Sequence, residues 1–322
     1  MNTDAPKKHI QSSHQYLSDD NETLNIVEIA KVIWLNRKVI IKGIVLSAMI
    51  AVITVINLTN IYRAEAILAP QSGTSNNSLA GIASQLNGIT ALTGLSFGTG
   101  EATDVTVSLA TLTSRNFIKQ IIDKHELLPL IMATESWDPN TNQIHFDSDI
   151  YNVEKKLWVR NVSPPKRPKP SDAEAYETFL EIMSVNEDSQ TGLITLSVDH
   201  HSAFFAKELS ELIIFELNNY IRHRDIEVAE KSIIYLEQLL KETTVAALES
   251  VFYQLMEEQT KKVMLAKSKQ DYALRIIDAP TIPDLDDEVW PNRPLLTIVI
   301  TFIGSFGIIL YVLFRKNKPS EK

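Results

Sequence analysis

The sequence predicts a mixed α/β (α+β) base domain that carries a long α-helical hairpin arm and is flanked by two transmembrane helices. Three observations carry that prediction. Apolar runs over residues 39–58 and 294–314 bracket a polar stretch, residues 59–293. Within this stretch, Ile61–Leu68, Ile182–Val185, Leu193–Val198 and Ala273–Asp278 alternate apolar and polar side chains as strands do. Neither Pro nor Gly occurs from His200 to Ala279, which leaves room for the longest helices in the chain, an arm over about 200–270.

Each apolar run has the ~20 residues that a helix needs to cross ~30 Å of hydrocarbon. Arg37, Lys38 and Lys42 crowd the start of the first, and Arg315, Lys316 and Lys318 follow the second. Cytoplasmic flanks carry such Lys/Arg excess, so residues 1–38 and the tail 315–322 are expected inside and residues 59–293 outside. The charge split agrees: residues 59–293 hold 21 Lys+Arg against 34 Asp+Glu, a net of −13 in a chain of −9. No small-residue cleavage pattern follows the first run in Asn57–Arg63, so it reads as a retained anchor rather than a signal peptide. Lys42 reaches the headgroups by snorkelling. Gly43, Ser47 and Ala51 in the first span, and Thr297, Thr301 and Gly304 in the second, recur every three or four residues. Small faces of this kind let helices approach closely in lipid, although small residues are frequent in membrane helices anyway.

The polar segments follow in order. Met1–Thr23 lacks periodicity and reads as disordered; Leu24–Leu35 reads as a short amphipathic helix on the inner membrane face, with Trp34 at the interface. Ile61–Leu68 is a strand, and Gln71–Glu101, rich in Ser, Gly and Asn, is a loosely structured stretch. Asp104–Ile131 regains helical periodicity with Asp104 as cap, and Leu157–Val162 reads as a strand. Pro164, Pro165, Pro168 and Pro170 make a stiff connector, after which Ser171 caps a helix through Leu180. Ile182–Val185 and Leu193–Val198 form a hairpin, with Gly192 available for a positive φ.

Asp199 is read as the opening of the long helix. Ile226, Ala229, Ile233, Leu236 and Leu240 step by three and four along it, as a packing seam does. A turn falls near Thr243–Ala246, and a second stripe continues through Leu248, Phe252, Leu255, Val263 and Ala266. Helices this long with narrow apolar stripes need a partner: either the other limb of the same hairpin or neighbouring subunits. On the second reading, Ile233→Asp and Leu236→Asp would bury unpaired charge and disrupt the assembly.

The chemistry that composition permits is narrow. There are no cysteines, so neither disulfides nor thiolate metal sites form, which suits a bacterial periplasm. The acidic balance argues against nucleic acid and against tight binding of anionic lipid or polysaccharide. No phosphate-binding loop motif occurs. Gly98-Thr99-Gly100 begins a dinucleotide-like run, but Thr103 stands where the third glycine belongs. His200-His201 is read as the exposed first turn of the long helix, and Asp286-Asp287-Glu288 as a solvated acidic turn. No catalytic residues, cofactor or metal are expected.

Val251–Pro283, VFYQLMEEQTKKVMLAKSKQDYALRIIDAPTIP, is followed by Trp290-Pro291-Asn292-Arg293-Pro294 running into the last span. Tyr62-Arg63-Ala64-Glu65-Ala66, Leu112–Ile118, Pro170-Ser171-Asp172 and Gln190–Val198 complete a set of motifs in fixed order. This set resembles the Wzz family, the polysaccharide co-polymerases that determine O-antigen chain length. The likeness covers about residues 24–316. One departure is the acidic run Asp284–Glu288, which stands where further proline would be expected beside Pro280, Pro283, Pro291 and Pro294.

The resemblance implies a membrane-proximal periplasmic base bearing the arm, and an inner-membrane protein with both termini cytoplasmic. It further implies a non-enzymatic regulator of lipopolysaccharide O-antigen modal chain length. The implied partners are copies of the same chain in a ring, a separate O-antigen polymerase, membrane lipid and possible contact with the growing polysaccharide, but no nucleic acid. The proline segment would then stiffen the approach to the second span. Two other classes share the two-span layout. An adaptor that activates a separate tyrosine kinase for capsule or exopolysaccharide export would show a longer cytoplasmic tail or a downstream kinase motif. A sensor would need a cytoplasmic output module. Residues 1–38 and 315–322 fit neither.

Overall fold

In the computed structural model, residues 34–71, 104–243 and 245–316 are described. Expectations for Met1–Thr23, most of Leu24–Leu35 and of Gln71–Glu101, Gly98–Gly100 and Lys318 fall outside these residues, as does Thr244 of the expected turn. The chain divides into two compact units, residues 58–292 and the remainder.

The smaller unit contains α1 (Arg37–Ile56) and, last in the chain, α8 (Arg293–Lys316), both long and apolar enough to cross a membrane. They pack on each other through the small residues. Ile40, Ala51 and Val55 are buried on α1, as is Val312 on α8. A Cβ added to Gly304 would come within 1.9 Å of the Ser47 Oγ, and one added to Gly43 within 2.6 Å of the Ile308 Cδ1. Hydrogen is therefore the largest substituent that either backbone position accepts without movement.

The larger unit is a mixed helix and sheet structure. Its strands are β1 (Ile61–Pro70), β2 (Thr134–Asp138), β3 (Gln143–Phe146), β4 (Tyr151–Asn152), β5 (Leu157–Trp158), β6 (Met183–Glu187), β7 (Ile194–His200), β8 (Leu274–Asp278) and β9 (Glu288–Trp290). The main sheet runs β6-β7-β1-β8, with β9 also on β1, and every pair is antiparallel. Strand β1 is thus the central strand, joined on both sides by strands from much later in the sequence.

Period-2 alternation gives this sheet one apolar face. Ala64, Ala66 and Leu68 lie opposite Val198, Leu196 and Ile194, and all six are buried. On the other face, the Arg63 guanidinium donates to both Asp199 oxygens, at 2.7 and 2.8 Å. Onto the apolar face pack α3 (Arg115–Lys124), α5 (Asp172–Ile182) and the first half of α6 (Ala203–Glu242), through Phe117, Ile118, Phe179, Leu209, Ile213 and Leu217.

Several boundaries differ from those read in the sequence. The helical stretch Asp104–Ile131 is three helices: α2 (Asp104–Leu112), α3 and the short α4 (Leu128–Met132). The Ser114 side chain accepts from the Phe117 N–H and restarts the helix, and Glu126 takes a positive φ of 51° that ends it again. Strand β5 has two residues rather than the expected six-residue span to Val162. Asp199 does not open the long helix. Both it and His200 are in β7, paired with Arg63 and Tyr62, and the cap is Ser202, whose Oγ accepts from the Phe205 N–H at 3.1 Å. Ser171 caps α5 as expected, in a full capping box with Glu174. The hairpin of β6 and β7 turns through Gly192 at φ 68°. After Glu242 the chain turns into α7 (Ala246–Ser268), which doubles back along α6, so that Arg222 donates to the carbonyls of Lys269 and Gln270.

Candidate functional site

Helix α6 presents opposite faces along its length. Phe205, Ala206, Leu209, Ile213, Leu217 and Ile221 bury into the sheet core. At ~100° per residue, Ile233 points about 160° away from Leu217, so the apolar stripe has crossed to the other side of the helix. There α7 covers it. Ala229 and Leu236 are buried, as is Ala266 on α7, while Ile226, Ile233 and Leu240 are half-buried. Polar contacts flank this seam: Tyr272 Oη donates to Asp225 at 3.0 Å, Lys262 lies 3.6 Å from Asp225, and Lys267 lies 3.4 Å from Glu230. The five stripe residues thus face the other limb of their own chain. What the pair turns outward is a different set: Val228, Ile234 and Tyr235 on α6, and Tyr253 and Met264 on α7.

Where α7 hands over to β8, one buried side chain organises the chain reversal. The Asn218 side-chain oxygen accepts from the N–H groups of Tyr272, Ala273 and Leu274 at 3.1, 2.7 and 3.0 Å. Its amide nitrogen donates to the carbonyls of Ile214 and Leu274. Two positions earlier, Glu216 is nearly buried and accepts from Lys124 Nζ at 2.8 Å, with His125 Nε2 at 3.0 Å. Burial would raise the Glu216 pKa, but bonds from Lys124 and His125 outweigh it and hold the carboxyl below its ordinary value. Neither residue stood out in the sequence. The signal is a Glu within, and an Asn directly after, the apolar run Ile213–Leu217 of a core-facing helix.

His200 is not the exposed helical residue expected. It is buried in β7; its Nδ1 accepts from the Ser202 N–H at 3.0 Å, so Nε2 carries the proton donated to the Leu130 carbonyl, also at 3.0 Å. Burial, with a smaller contribution from His201, lowers its pKa to about 4, against the raising effect of the two backbone bonds. His201 turns elsewhere and bonds the Asn60 carbonyl. A shallow cleft of about 490 Å3 opens nearby, lined by His125, Leu130, Asn142, Ile144, Phe204 and Glu208. Ser202 also lines it, with its Oγ engaged as the cap of α6 through the Phe205 N–H. Among the described residues, no group of three His, Asp or Glu is arranged to hold a metal ion.

The remaining expected positions are distributed. Gly43, Ser47, Ala51 and Gly304 turn toward the partner helix. Thr297 and Thr301 are half-buried; Thr297 Oγ1 donates to the Arg293 carbonyl, and the Thr301 carbonyl accepts from Ser305. Pro280 and Pro291 are buried, Pro283 is half-buried and Pro294 is exposed. Between them Asp284, Asp286 and Asp287 lie exposed in a turn, with the Asp287 N–H donating to the Asp284 carbonyl.

Residues 22–125 match the family model of Wzz, described as chain length determinant protein. No curated protein matches the chain. Among solved structures, a full-length bacterial polysaccharide co-polymerase is 14% identical with a TM-score of 0.39, over 92% of this chain and 100% of that one. A fragment of WzzB, a polysaccharide co-polymerase from Salmonella Typhimurium, is 14% identical with a TM-score of 0.26, over 70% of this chain and 98% of that one. Both scores are too low to establish a shared fold. The family match covers 104 of the 322 residues.

Proposed function

Taking as premise that residues 22–125 carry the Wzz chain length determinant signature, we propose that the protein sets the modal length of lipopolysaccharide O-antigen without itself catalysing polymerisation. It acts as an inner-membrane co-polymerase. Helices α1 and α8 cross the bilayer, residues 1–38 and 315–322 are cytoplasmic, and the sheet domain and helical arm stand in the periplasm. Several copies assemble, and the assembly engages a separate O-antigen polymerase.

The family match is the observation that carries this reading. Its physical side is consistent with it. Two apolar helices pack through glycine, serine and alanine, and the polar unit between them bears α6 and α7, whose outward side chains include Tyr235 and Tyr253. Forty helical residues rising ~1.5 Å each make α6 about 60 Å long. Beyond the sheet core, α6 continues paired with α7 as a narrow two-helix rod. It suits a device that contacts a polymer or a second protein along its side better than one that encloses a small substrate.

A lipopolysaccharide gel comparing a deletion strain with its parent tests the function. The preferred band cluster should vanish on deletion, short chains should dominate, and polymerisation should persist. Unchanged banding would refute the O-antigen role. A phosphatase reporter inserted beside Asp147 tests the topology, and activity is expected only if that residue is exported.

A further inference from the structure

Two exposed patches of opposite charge lie on the larger unit, and both are apolar as well as charged. The first is residues 151–170. It contains six of the 21 cations of residues 59–293 and a single acid, although that region as a whole is strongly acidic. Arg160 is committed to structure, donating to both Glu174 oxygens and to the Pro168 and Arg167 carbonyls. Lys155, Lys156, Arg167 and Lys169 are exposed and enter no ion pair among the described residues. Interleaved with them, Val153, Leu157 and Val159 are about half exposed, at 54%, 55% and 47%. The second patch is residues 282–290, Ile-Pro-Asp-Leu-Asp-Asp-Glu-Val-Trp, with four acids and no cation. Asp284, Asp286 and Asp287 are exposed between Ile282, Leu285, Val289 and Trp290, whose exposures run from 42% to 55%.

The two patches are attached to different elements of the unit. Residues 151–170 lead through α5 into β6, the strand at one edge. Residues 282–290 link β8 to β9, which pair with β1 on the side away from β7. One face that is cationic and apolar, and another that is acidic and apolar, meet the requirement of a heterologous interface, in which a different surface of each copy is buried.

We infer that the segment 151–169 of one copy docks onto the segment 282–290 of the next, so that copies associate head to tail. Lysines 155 and 156 face Asp284, Asp286 and Asp287 across the joint, and Leu157 and Val159 pack against Leu285 and Trp290. The stripe from Ile226 to Leu240 packs in part on α7 of its own chain, and this joint lies apart from it, in the sheet domain. The inference rests on the proposed assembly of copies and names its surfaces.

The test uses the full-length chain in lipid nanodiscs or detergent, with assembly read by native mass spectrometry and cross-linking. K155E/K156E and D286K/D287K should each raise the concentration needed for assembly by about tenfold or more, with the melting temperature unchanged. An equimolar mixture of the two variants should assemble again, because each opposes the other's reversed patch. A single chain carrying all four reversals should assemble as well. The pairing is overturned if either double variant assembles like the parent, or if the mixture and the four-fold variant stay dissociated while melting normally. It is also overturned if K155E/K156E assembles normally but loses binding to vesicles containing anionic phosphatidylglycerol, which would make the patch a lipid site. A parent chain that is monomeric at all concentrations overturns it too. The glycan ladder reports separately: banding unchanged on deletion refutes the chain-length role and leaves the mass measurement able to support or reject the joint.

Discussion

The two halves of α6 are built from one continuous helix but live in different company. The lower half is enclosed by a sheet and two further helices, and Leu209, Ile213 and Leu217 reach almost complete burial. The upper half has a single neighbour, α7. It fully buries only Ala229 and comes close at Leu236, leaving Val228, Ile234 and Tyr235 outside. Residue type does not separate them: both stripes mix Leu and Ile with a fully buried alanine, Ala206 below and Ala229 above, so the difference lies in the number of neighbours. A helix pair with a narrow seam gains less hydrophobic free energy per residue than a three-layer core, so the upper half is held mainly by its connection to the lower.

Truncation should expose that difference most strongly. Leu217→Ala should lower the stability of the detergent-solubilised chain by about 3–4 kcal/mol, since it opens a cavity where neighbours on several sides cannot collapse. Leu236→Ala should cost about 1–2 kcal/mol, because its site borders solvent and can relax. Denaturant titration followed by circular dichroism measures both. Equal losses would mean that the upper seam is as rigid as the core, and the contrast would fail. Leu236→Asp sharpens it further: amide exchange should accelerate in α7 and upper α6 while β1 and β7 remain protected.

Asn218 sits at the junction of the halves. Asn218→Ala leaves the N–H groups of Tyr272, Ala273 and Leu274 without their acceptor, an expected loss of about 2–3 kcal/mol. The same change should raise exchange at Leu274–Asp278 more than at β7. If β8 stays as protected as before, other contacts hold the chain reversal.

A pH titration tests the lower region alone. The His200 pKa of about 4 is below the ordinary 6.5, so between these values the unfolded chain takes up a proton that the folded site refuses. This contribution is complete above about pH 6.5 and declines as pH falls toward 4, amounting to about 2 kcal/mol by pH 5. His200→Gln should flatten the stability profile over that interval. Below it, Glu216 and Glu174 act in the same direction. The Glu174 carboxyl, held at about 2 by Arg160 and the Ser171 N–H, keeps its ion pair to lower pH than an ordinary glutamate would.

The parts of this architecture legible in the sequence are those set by local periodicity. The alternation of β1, the cap at Ser171, the turn at Gly192 and the two apolar helices all depend on neighbours within a few residues. The strand order did not follow from them, because pairing β1 with β7 and β8 joins segments more than a hundred residues apart. His200 shows the limit well. Beside a long run free of Pro and Gly, a histidine pair looks like the first turn of a helix, and only the ladder to Tyr62 makes it a strand. The stripe from Ile226 to Leu240 was visible as a seam, but its partner was not: the same spacing serves a neighbouring subunit or the returning limb. Within this chain Ala229 and Ala266 are buried between the two limbs, while Ile226, Ile233 and Leu240 are only half-buried. The wide separation of Asn218 from Tyr272 hid the polar anchor between them.

The smallest effect on stability should come from the outward side chains of the upper pair, and it is there that function is expected to separate from folding. Tyr235→Ala and Tyr253→Ala remove exposed rings that carry no internal hydrogen bond among the described residues, so unfolding should shift by no more than about 0.5 kcal/mol. If the outer surface of this helix pair engages the polymerase or the growing chain, the double variant should still shift the modal band of the lipopolysaccharide ladder. Leu217→Ala, at a residual stability sufficient for folding, should lower the amount of protein without moving the mode. The opposite pattern, with modal length following Leu217 and indifferent to both tyrosines, would place the length-setting contact in the sheet domain and reduce the upper helices to a spacer.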